Sequence, residues 1–460
     1  MTTEAITGSA ALPGTDPDTA GRPAADLYTG DLHTALEDPA LSSMNLLNEI
    51  AQQYPEAIPF AAGRPSESFF DVEDVHDHLR AYTRYLATDR GLSPAEIRRT
   101  LFQYGRTKGI VHELVARNLA VDEGIECDPE AIVVTVGCQE AMYLVLRALR
   151  AGPRDVLLAV APTYVGLTGA ARLVDLPVLP VAGGAEGVDL DDLRAVLDRA
   201  RREGLRPRAC YVMPDFANPS GLSLSRETRL RLLRLAREED LLLLEDNPYG
   251  IFHGPGQQRV PTLKALDEHR RVIYLGSFAK TALPGARVGY LVADQRVADT
   301  RGRVGLLADQ LSKIKSMLTV NTSPIAQAVV GGKLVRHDAS LVAANVRERE
   351  SYSRNLGQIL DGLDRRLPGA AELGVTWNVP TGGFFVVLTL PFTADDALLE
   401  LSARGYGVLW TPMSHFYDGA GGEHQLRLSV SAVTARQIDL GLDRLAALIT
   451  DRIATGVDHA

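Results

Sequence analysis

Short apolar runs alternate with amphipathic helical patterns through the central part of the chain. The runs AIVVTV (131–136), VLLAVA (156–161), LPVLPV (176–181), ACYVM (209–213), LLLLE (241–245) and VIYL (272–275) are each closed by Gly, Pro or polar turn residues. They are short for helices, and their uninterrupted hydrophobicity suits strands buried on both faces. Between them, QEAMYLVLRALRAG places Met142, Leu146 and Leu149 at helical spacing, and LDDLRAVLDRARREG and ETRLRLLRLAREED repeat the pattern. Such alternation predicts an α/β fold: a mostly parallel sheet, helices on both faces and right-handed crossovers. ARVGYLVA resumes a strand after Pro284 and Gly285.

The pattern changes toward both ends. Residues 27–73 mix short helical patterns with turn breaks and read as an arm leading into the fold. Residues 74–98 read as one amphipathic helix, and 110–121 as another. Beyond about residue 345, VTWNVPTGGFFVVLTL and GVLWTPMSHFYDGAGGEHQLRLSVSAV read as strands and loops of a smaller α+β domain, closed by an amphipathic helix over 434–453. The expected division is a disordered tail over 1–26, an N-terminal arm and part of the small domain over 27–73, a large domain over 74–345 and the rest of the small domain over 346–460.

Composition narrows the function. The chain has 460 residues, 45% hydrophobic and 23% charged, with a formal net charge of -10. An acidic chain with no lysine/arginine stripe interleaved with aromatics is a poor nucleic-acid binder, and Arg199 to Arg208 reads as a solvated helix end. Cys127, Cys138 and Cys210 are scattered and lack metal-ligand spacing, which disfavours a disulfide framework and a zinc site. The N-terminus has no basic start followed by an apolar stretch, and no run is long enough to cross a bilayer, so a cytoplasmic protein is expected.

The candidate chemistry lies at strand ends, where open α/β sheets bind ligands. In VIYLGSFAKTALPGARVG, Lys280 follows a strand on a small-residue turn, with Ser277 and Arg287 on either side. A lysine in a partly desolvated pocket can lose its proton and form a Schiff base with a carbonyl. A hydroxyl and a guanidinium beside it suit a phosphorylated aldehyde. Taken alone, a surface lysine beside a turn is as good a reading. Two further loops carry Asn218 (DFANPSG) and Asp246 with Tyr249 (EDNPYG). The amides after Gly137, at Cys138, Gln139 and Glu140, open a helix and offer an anion site, although many such turns carry no ligand.

Together these segments resemble the fold-type I pyridoxal-phosphate (PLP) aminotransferases of the class I/II group, from about residue 40 onward. The resemblance rests on Gly137, Cys138 and Gln139 in TVGCQEA, Tyr164 in PTY, Asn218 in NPSG, Asp246 and Tyr249 in DNPY, Ser277 and Lys280 in SFAK, Arg287 in PGAR, and Arg427 in LRLSVS. It implies that Lys280 holds PLP and moves a proton at the substrate Cα, and that Asp246 pairs with the pyridine nitrogen. It also implies that Asn218 and Tyr249 bond the phenolic oxygen and that Tyr164 stacks on the ring. The phosphate would be held by the amides after Gly137, by Ser277 and Arg287, and by Tyr104 from a second subunit of a homodimer. Arg427 would clamp the substrate carboxylate, with Gly63 and Arg64 of the Gly-Arg-Pro turn as further substrate contacts. Two positions depart from the group's pattern: Cys138 stands where serine or alanine is usual, and Ala279 where serine is frequent. Cys138 reads as a space-filler.

The arm and first helices look closest to the arylglycine transaminases of nonribosomal-peptide pathways. These interconvert 3,5-dihydroxyphenylglycine or 4-hydroxyphenylglycine and the corresponding arylglyoxylates. A ring carried directly on Cα wants a short aromatic pocket, for which Phe69, Phe70, Tyr164, Phe384 and Phe416 are candidates. His415, between Ser414 and Phe416, either hydrogen-bonds a substrate hydroxyl or sits at the surface, and the surface is the favoured reading. The partners implied are an amino acid and a 2-oxo acid such as 2-oxoglutarate, with no nucleic acid, membrane or metal. A PLP-dependent oxidase or hydroxylase, a general aromatic or 2-aminoadipate aminotransferase, and a regulatory binding module are the alternatives.

Overall fold

A computed structural model describes residues 25–39, 41, 43, 49–50, 52–184 and 186–456. The tail expected to be disordered lies, through residue 24, outside the described residues.

The expected strands assemble into one seven-stranded sheet: β1 (Ile132–Thr135), β2 (Asp155–Ala161), β3 (Val178–Ala182), β4 (Arg206–Val212), β5 (Leu242–Asp246), β6 (Val272–Ser277) and β7 (Gly289–Val292). Their spatial order is β1-β7-β6-β5-β4-β2-β3. All pairings are parallel except those of β7, which runs antiparallel to both neighbours, with Leu291 opposite Val133 and Leu275. The run over 289–292 was legible as a strand but its direction was not. Every residue of β1 and β7 is buried, as expected for strands covered on both faces.

Helices α3 (Gly137–Leu149), α4 (Val165–Arg172), α5 (Leu190–Arg202) and α6 (Arg226–Glu238) fill the crossovers. α5 and α6 bury their leucine stripes, Leu193 and Leu197 on one and Leu232 and Leu235 on the other.

The single helix expected over 74–98 is two: α1 (Val72–Thr88) and α2 (Pro94–Phe102). Ser93 starts the second with a capping box, its amide donating to Glu96 at 2.8 Å, and Pro94 occupies the first turn. This start signal outweighs the continuous amphipathic period. The helix expected over 110–121 is helical over His112–Asn118 and closes in a wider turn over Leu119–Glu123. Two helices not anticipated, α7 (Leu307–Leu318) and α8 (Pro324–Arg336), follow the sheet. α8 lies against α1 so closely that a side chain at Gly332 would meet the His78 carbonyl at 1.8 Å.

After α9 (Val346–Arg366) the chain forms an antiparallel sheet in the order β8-β9-β11-β10, from Thr376–Trp377, Phe385–Thr389, Gln425–Ser429 and Thr411–Pro412. It ends in α10 (Ala435–Thr455), packed on α9. The arm joins this unit: Ile58–Pro59 pairs in parallel with Val408–Leu409, and the Ser429 amide donates to the Phe60 carbonyl at 2.6 Å. That path delivers residues 61–64 to the gap between the two sheets.

Candidate active site

A cavity of about 340 Å³ lies at the carboxyl ends of β5 and β6, roofed by the arm and walled by β11. Each side chain reaches it for a local reason. Lys280 leaves the turn after β6, and its Nζ donates to the Gly63 carbonyl at 2.8 Å. Asp246 is the last residue of β5 and is buried. Tyr211 pairs with Leu244, two residues before Asp246, so both side chains share a face, and its hydroxyl donates to Asp246 Oδ2 at 2.6 Å. The Cys138 thiol donates to Oδ1 at 3.5 Å.

Arg287 adopts a left-handed conformation (φ 51°) at the end of the turn Pro284–Ala286, which turns its guanidinium over the start of α3. Gly137 has φ 71°, and a Cβ there would lie 2.3 Å from Arg287 Nη2, so only glycine leaves this cradle open. Within the first turn of α3, Glu140 accepts the Val136 amide at 2.6 Å and is neutralised by the buried Lys315 at 2.8 Å. The acidic residue therefore does not oppose an anion at this helix end. Ser277 faces the same corner, its Oγ accepting the Ala279 amide at 3.2 Å, while Gln139 spends its side-chain amide on the Gly166 carbonyl at 2.6 Å.

Arg427 lies in the middle of β11, opposite Val387 and Thr411. It donates to Asn218 Oδ1, to the Ala61 carbonyl at 3.0 Å and to Thr411 Oγ1 at 3.2 Å. The guanidinium sits 4.3 Å from the Phe385 ring centre and 4.9 Å from that of Phe416. Its buried Nε has no hydrogen-bond partner among the described residues, an arrangement that suits an incoming carboxylate.

Burial governs the charges. Burial, and then the nearby Arg287 and Arg427 charges, lower the Lys280 amine to about 8 against the pull of Asp246. Burial raises Asp246 to about 6, opposed by the Tyr211 and Cys138 hydrogen bonds and by Lys280. Burial lowers Arg427 to about 10, opposed by Tyr249 and Tyr164, and pushes both phenols up.

This donor set fits pyridoxal 5′-phosphate. An amine poised near neutrality can take its carbonyl, and the open cradle beside Arg287, Ser277 and the first amides of α3 can take its phosphate. Buried Asp246 can pair with its ring nitrogen, and Tyr164 can cover its face. The family model of aminotransferase class I and II matches residues 70–445. The chain belongs to this family.

Its relatives include the (S)-3,5-dihydroxyphenylglycine transaminase of Amycolatopsis orientalis, 60% identical over 92% of this chain and 94% of that one. The 2-aminoadipate transaminase of Thermus thermophilus is 31% identical over 87% of this chain and 92% of its own. Among solved structures, the α-aminoadipate aminotransferase of the same organism, complexed with N-(5′-phosphopyridoxyl)-L-leucine, superposes with a TM-score of 0.75. It shares 29% identity and covers 93% of this chain and 99% of its own. The architecture is that of fold-type I PLP enzymes.

The cavity gathers Gly63, Arg64, Cys138, Gln139, Tyr164, Asn218, Asp246, Tyr249, Ser277, Lys280, Arg287 and Arg427. Tyr104 is not among them; it is 86% exposed on the surface of the chain. Arg64 stands half-exposed at the rim, 3.6 Å from Glu67.

The aromatic candidates divide. Tyr164 and Phe416 line the cavity, but Phe69 packs edge-on against Tyr352 and Phe384 is buried behind Tyr249. Phe70 lies outside the lining. The expectation of a surface His415 is corrected: it is largely buried, with Nδ1 2.7 Å from Ser43 Oγ and Nε2 2.7 Å from Asp396 of the short helix Asp396–Leu401, tying the arm to the C-terminal part of the chain. Sequence reasoning also missed Ile50 and Gln52 of the arm, together with Met142, Val165 and Tyr211.

Proposed function

We propose that this aminotransferase acts on arylglycines, moving the amino group between a (dihydroxy)phenylglycine and a 2-oxo acid such as 2-oxoglutarate in the supply of nonribosomal-peptide precursors. The observation that carries the reading is 60% identity over 92% of the chain to a (S)-3,5-dihydroxyphenylglycine transaminase. The cavity supports it. Ile50, Met142, Val165 and Phe416 give apolar walls for a ring, and Gln52, Gln139 and Arg64 give polar groups for hydroxyls.

Bound pyridoxal phosphate supplies an aldehyde that takes the amino group and a conjugated ring that spreads the electrons left on Cα when its proton departs. The chain's residues do the rest. Arg427 would grip the substrate carboxylate, its buried Nε being unpartnered among the described residues while Nη1 is held by Asn218 and Nη2 by Ala61 and Thr411. This places the Cα proton near Lys280, whose amine near 8 both accepts and returns a proton around neutrality. Asp246 would hold a negative charge at the ring nitrogen, Asn218 and Tyr249 would bond the phenolic oxygen, and Tyr164 would cover the ring. Gly137, Cys138 and Gln139, through their amides, seat the phosphate with Ser277 and Arg287. The arm, by Gly63 and Arg64, excludes water from above.

The chain is read as a cytoplasmic homodimer, with a large unit over 74–345, a small unit over 346–460 and the arm over 27–73. Cys127, Cys138 and Cys210 are free thiols, in keeping with a reducing compartment. Phe102, Tyr104, Met317, Leu318 and Val320 are exposed. A side chain added at Gly105, beside Tyr104, would lie 3.6 Å from Asn321 Nδ2, so the two segments are neighbours, and their exposed apolar residues suit a second copy. Tyr104 on that face would then reach the partner's phosphate site.

The test is anaerobic mixing of holoprotein with single amino acids, following the cofactor's visible absorbance. Bleaching by an arylglycine, reversed by 2-oxoglutarate, is expected. Bleaching by 2-aminoadipate or phenylalanine but not by arylglycines would overturn the substrate assignment, and turnover that consumes oxygen would replace amino transfer by oxidation.

A further inference from the structure

Cys138 lies in the first turn of α3, and its thiol is directed at the carboxylate at the end of β5. The two oxygens of Asp246 have separate donors from separate elements: Tyr211 of β4 at 2.6 Å on Oδ2 and Cys138 of α3 at 3.5 Å on Oδ1. We propose that Cys138 is a positioning residue that acts through Asp246, its thiol serving with the Tyr211 hydroxyl to hold that carboxylate ionised and fixed in orientation. The proposal rests on the reading of Asp246 as the partner of the cofactor's ring nitrogen, and extends it to a residue whose amide alone was assigned a task.

The physical case starts from the cost of a buried carboxylate. Asp246 is 3% exposed, and an ion there is stable only when its lone pairs are occupied. The titratable and charged groups around it are Tyr211 from β4, Cys138 from α3, Lys280 from the turn after β6, Tyr164 before α4 and Tyr249 beyond β5. Of these, Tyr211 and Cys138 donate hydrogen bonds to its oxygens, and Lys280 offers only charge. Burial and the adjacent carboxylate push the Cys138 thiol well above its ordinary range, so it stays protonated and remains a donor. A thiol is a weak donor and a larger atom than a hydroxyl. It therefore supports the carboxylate less than serine would, leaving Asp246 closer to the point where it takes up a proton.

The test follows the Asp246 carboxyl by difference infrared spectroscopy in the full-length apoprotein, between about pH 4 and 8, the band being assigned by its loss in Asp246→Asn. Cys138→Ala removes the donor and should move the midpoint up by about half a pH unit or more. Cys138→Ser keeps a donor and should bring it to or below the wild-type value. Tyr211→Phe removes the stronger bond and should give the largest upward shift; it also keeps the idea testable if Cys138→Ala does not fold. A midpoint in Cys138→Ala equal to wild type, or Ser and Ala variants that titrate alike, would show that residue 138 only fills space. Pyridoxal phosphate titration of the same samples separates the two levels. If wild-type protein takes up no cofactor, the reading of the cavity fails while the Asp246 shifts stand. If it does, Cys138→Ala should bind the cofactor several-fold more weakly, and equal affinity in all variants would overturn the positioning role.

Discussion

The Nζ of Lys280 donates to the backbone carbonyl of Gly63 at 2.8 Å, so the amine at the floor of the cavity is tied to the arm that roofs it. Gly63 in turn sits between residues 61 and 64, whose carbonyls bind Arg427 and Ser431. Lys280, Arg427 and the arm therefore share one short stretch of backbone. For Lys280 to react, this hydrogen bond must be exchanged for a bond to the incoming carbonyl.

Lys280→Ala removes both the carbonyl-capturing amine and the proton carrier. Turnover should fall by about 10²- to 10⁴-fold from the loss of acid-base catalysis alone, and further from the loss of the amine that captures the carbonyl. Mass spectrometry after borohydride treatment should find cofactor covalently attached to wild type and not to the variant. A variant with near-normal rates would remove Lys280 from the mechanism.

The Lys280 amine near 8 fixes a pH dependence whose sign can be worked out. Only the neutral amine attacks a carbonyl, so the rate of pyridoxal phosphate capture by apoprotein should rise with pH and level off above a midpoint near 8. Folding stability should respond in the same direction. The amine titrates lower in the folded chain than in the unfolded one, where it titrates near about 10.4. Between those values the unfolded chain binds more protons, so stability rises with pH across that window and the deficit is full below it. In Lys280→Met this alkaline rise should disappear from denaturation midpoints measured in parallel.

Gly137→Ala tests the cradle. The substitution forces a side chain onto φ 71° and into the Arg287 guanidinium, whose Nη2 would be 2.3 Å away. Backbone strain of this kind costs about 1–2 kcal/mol, and displacement of Arg287 adds to it. Cofactor affinity, read from absorbance titration of apoprotein, should drop tenfold or more, roughly as each 1.4 kcal/mol predicts. The fold should persist, because Gly137 is the first residue of α3 and the atom its side chain would meet is the far end of a flexible arginine.

How much of this was legible depended on where chemistry sat relative to the apolar runs. Asp246 and Lys280 follow buried strands at their ends, and a polar residue that interrupts an apolar run at a turn stands out. Tyr211 lies inside such a run and reads as one more core aromatic; only the β4–β5 register puts its hydroxyl on Asp246. The direction of β7 was not readable, since a buried strand has the same composition whichever way it runs. Ile50, Gln52 and His415 gain their places through contacts between distant parts of the chain, which local patterns do not encode. The break at Ser93–Pro94 was missed because the amphipathic period runs across it, although serine, proline and a glutamate at the third helical position spell a helix start.

Arg427→Lys separates charge from geometry. Arg427 lies near the Phe385 and Phe416 rings and spends bonds on Asn218, Ala61 and Thr411, with its buried Nε unpartnered among the described residues. Lysine keeps a positive charge but offers a single point donor, stacks less well and cannot present two parallel bonds to a carboxylate. Loss of one charge-assisted bond costs about 2–3 kcal/mol, so kcat/KM for the amino acid should fall about 30- to 100-fold. Because the carboxylate is gripped before and during proton transfer alike, most of the loss should appear in KM, with kcat changing less. The cofactor's absorbance and affinity should stay near wild type, since no cofactor contact is assigned to Arg427. A loss confined to kcat would mean that Arg427 acts on the reacting centre and not as the carboxylate clamp.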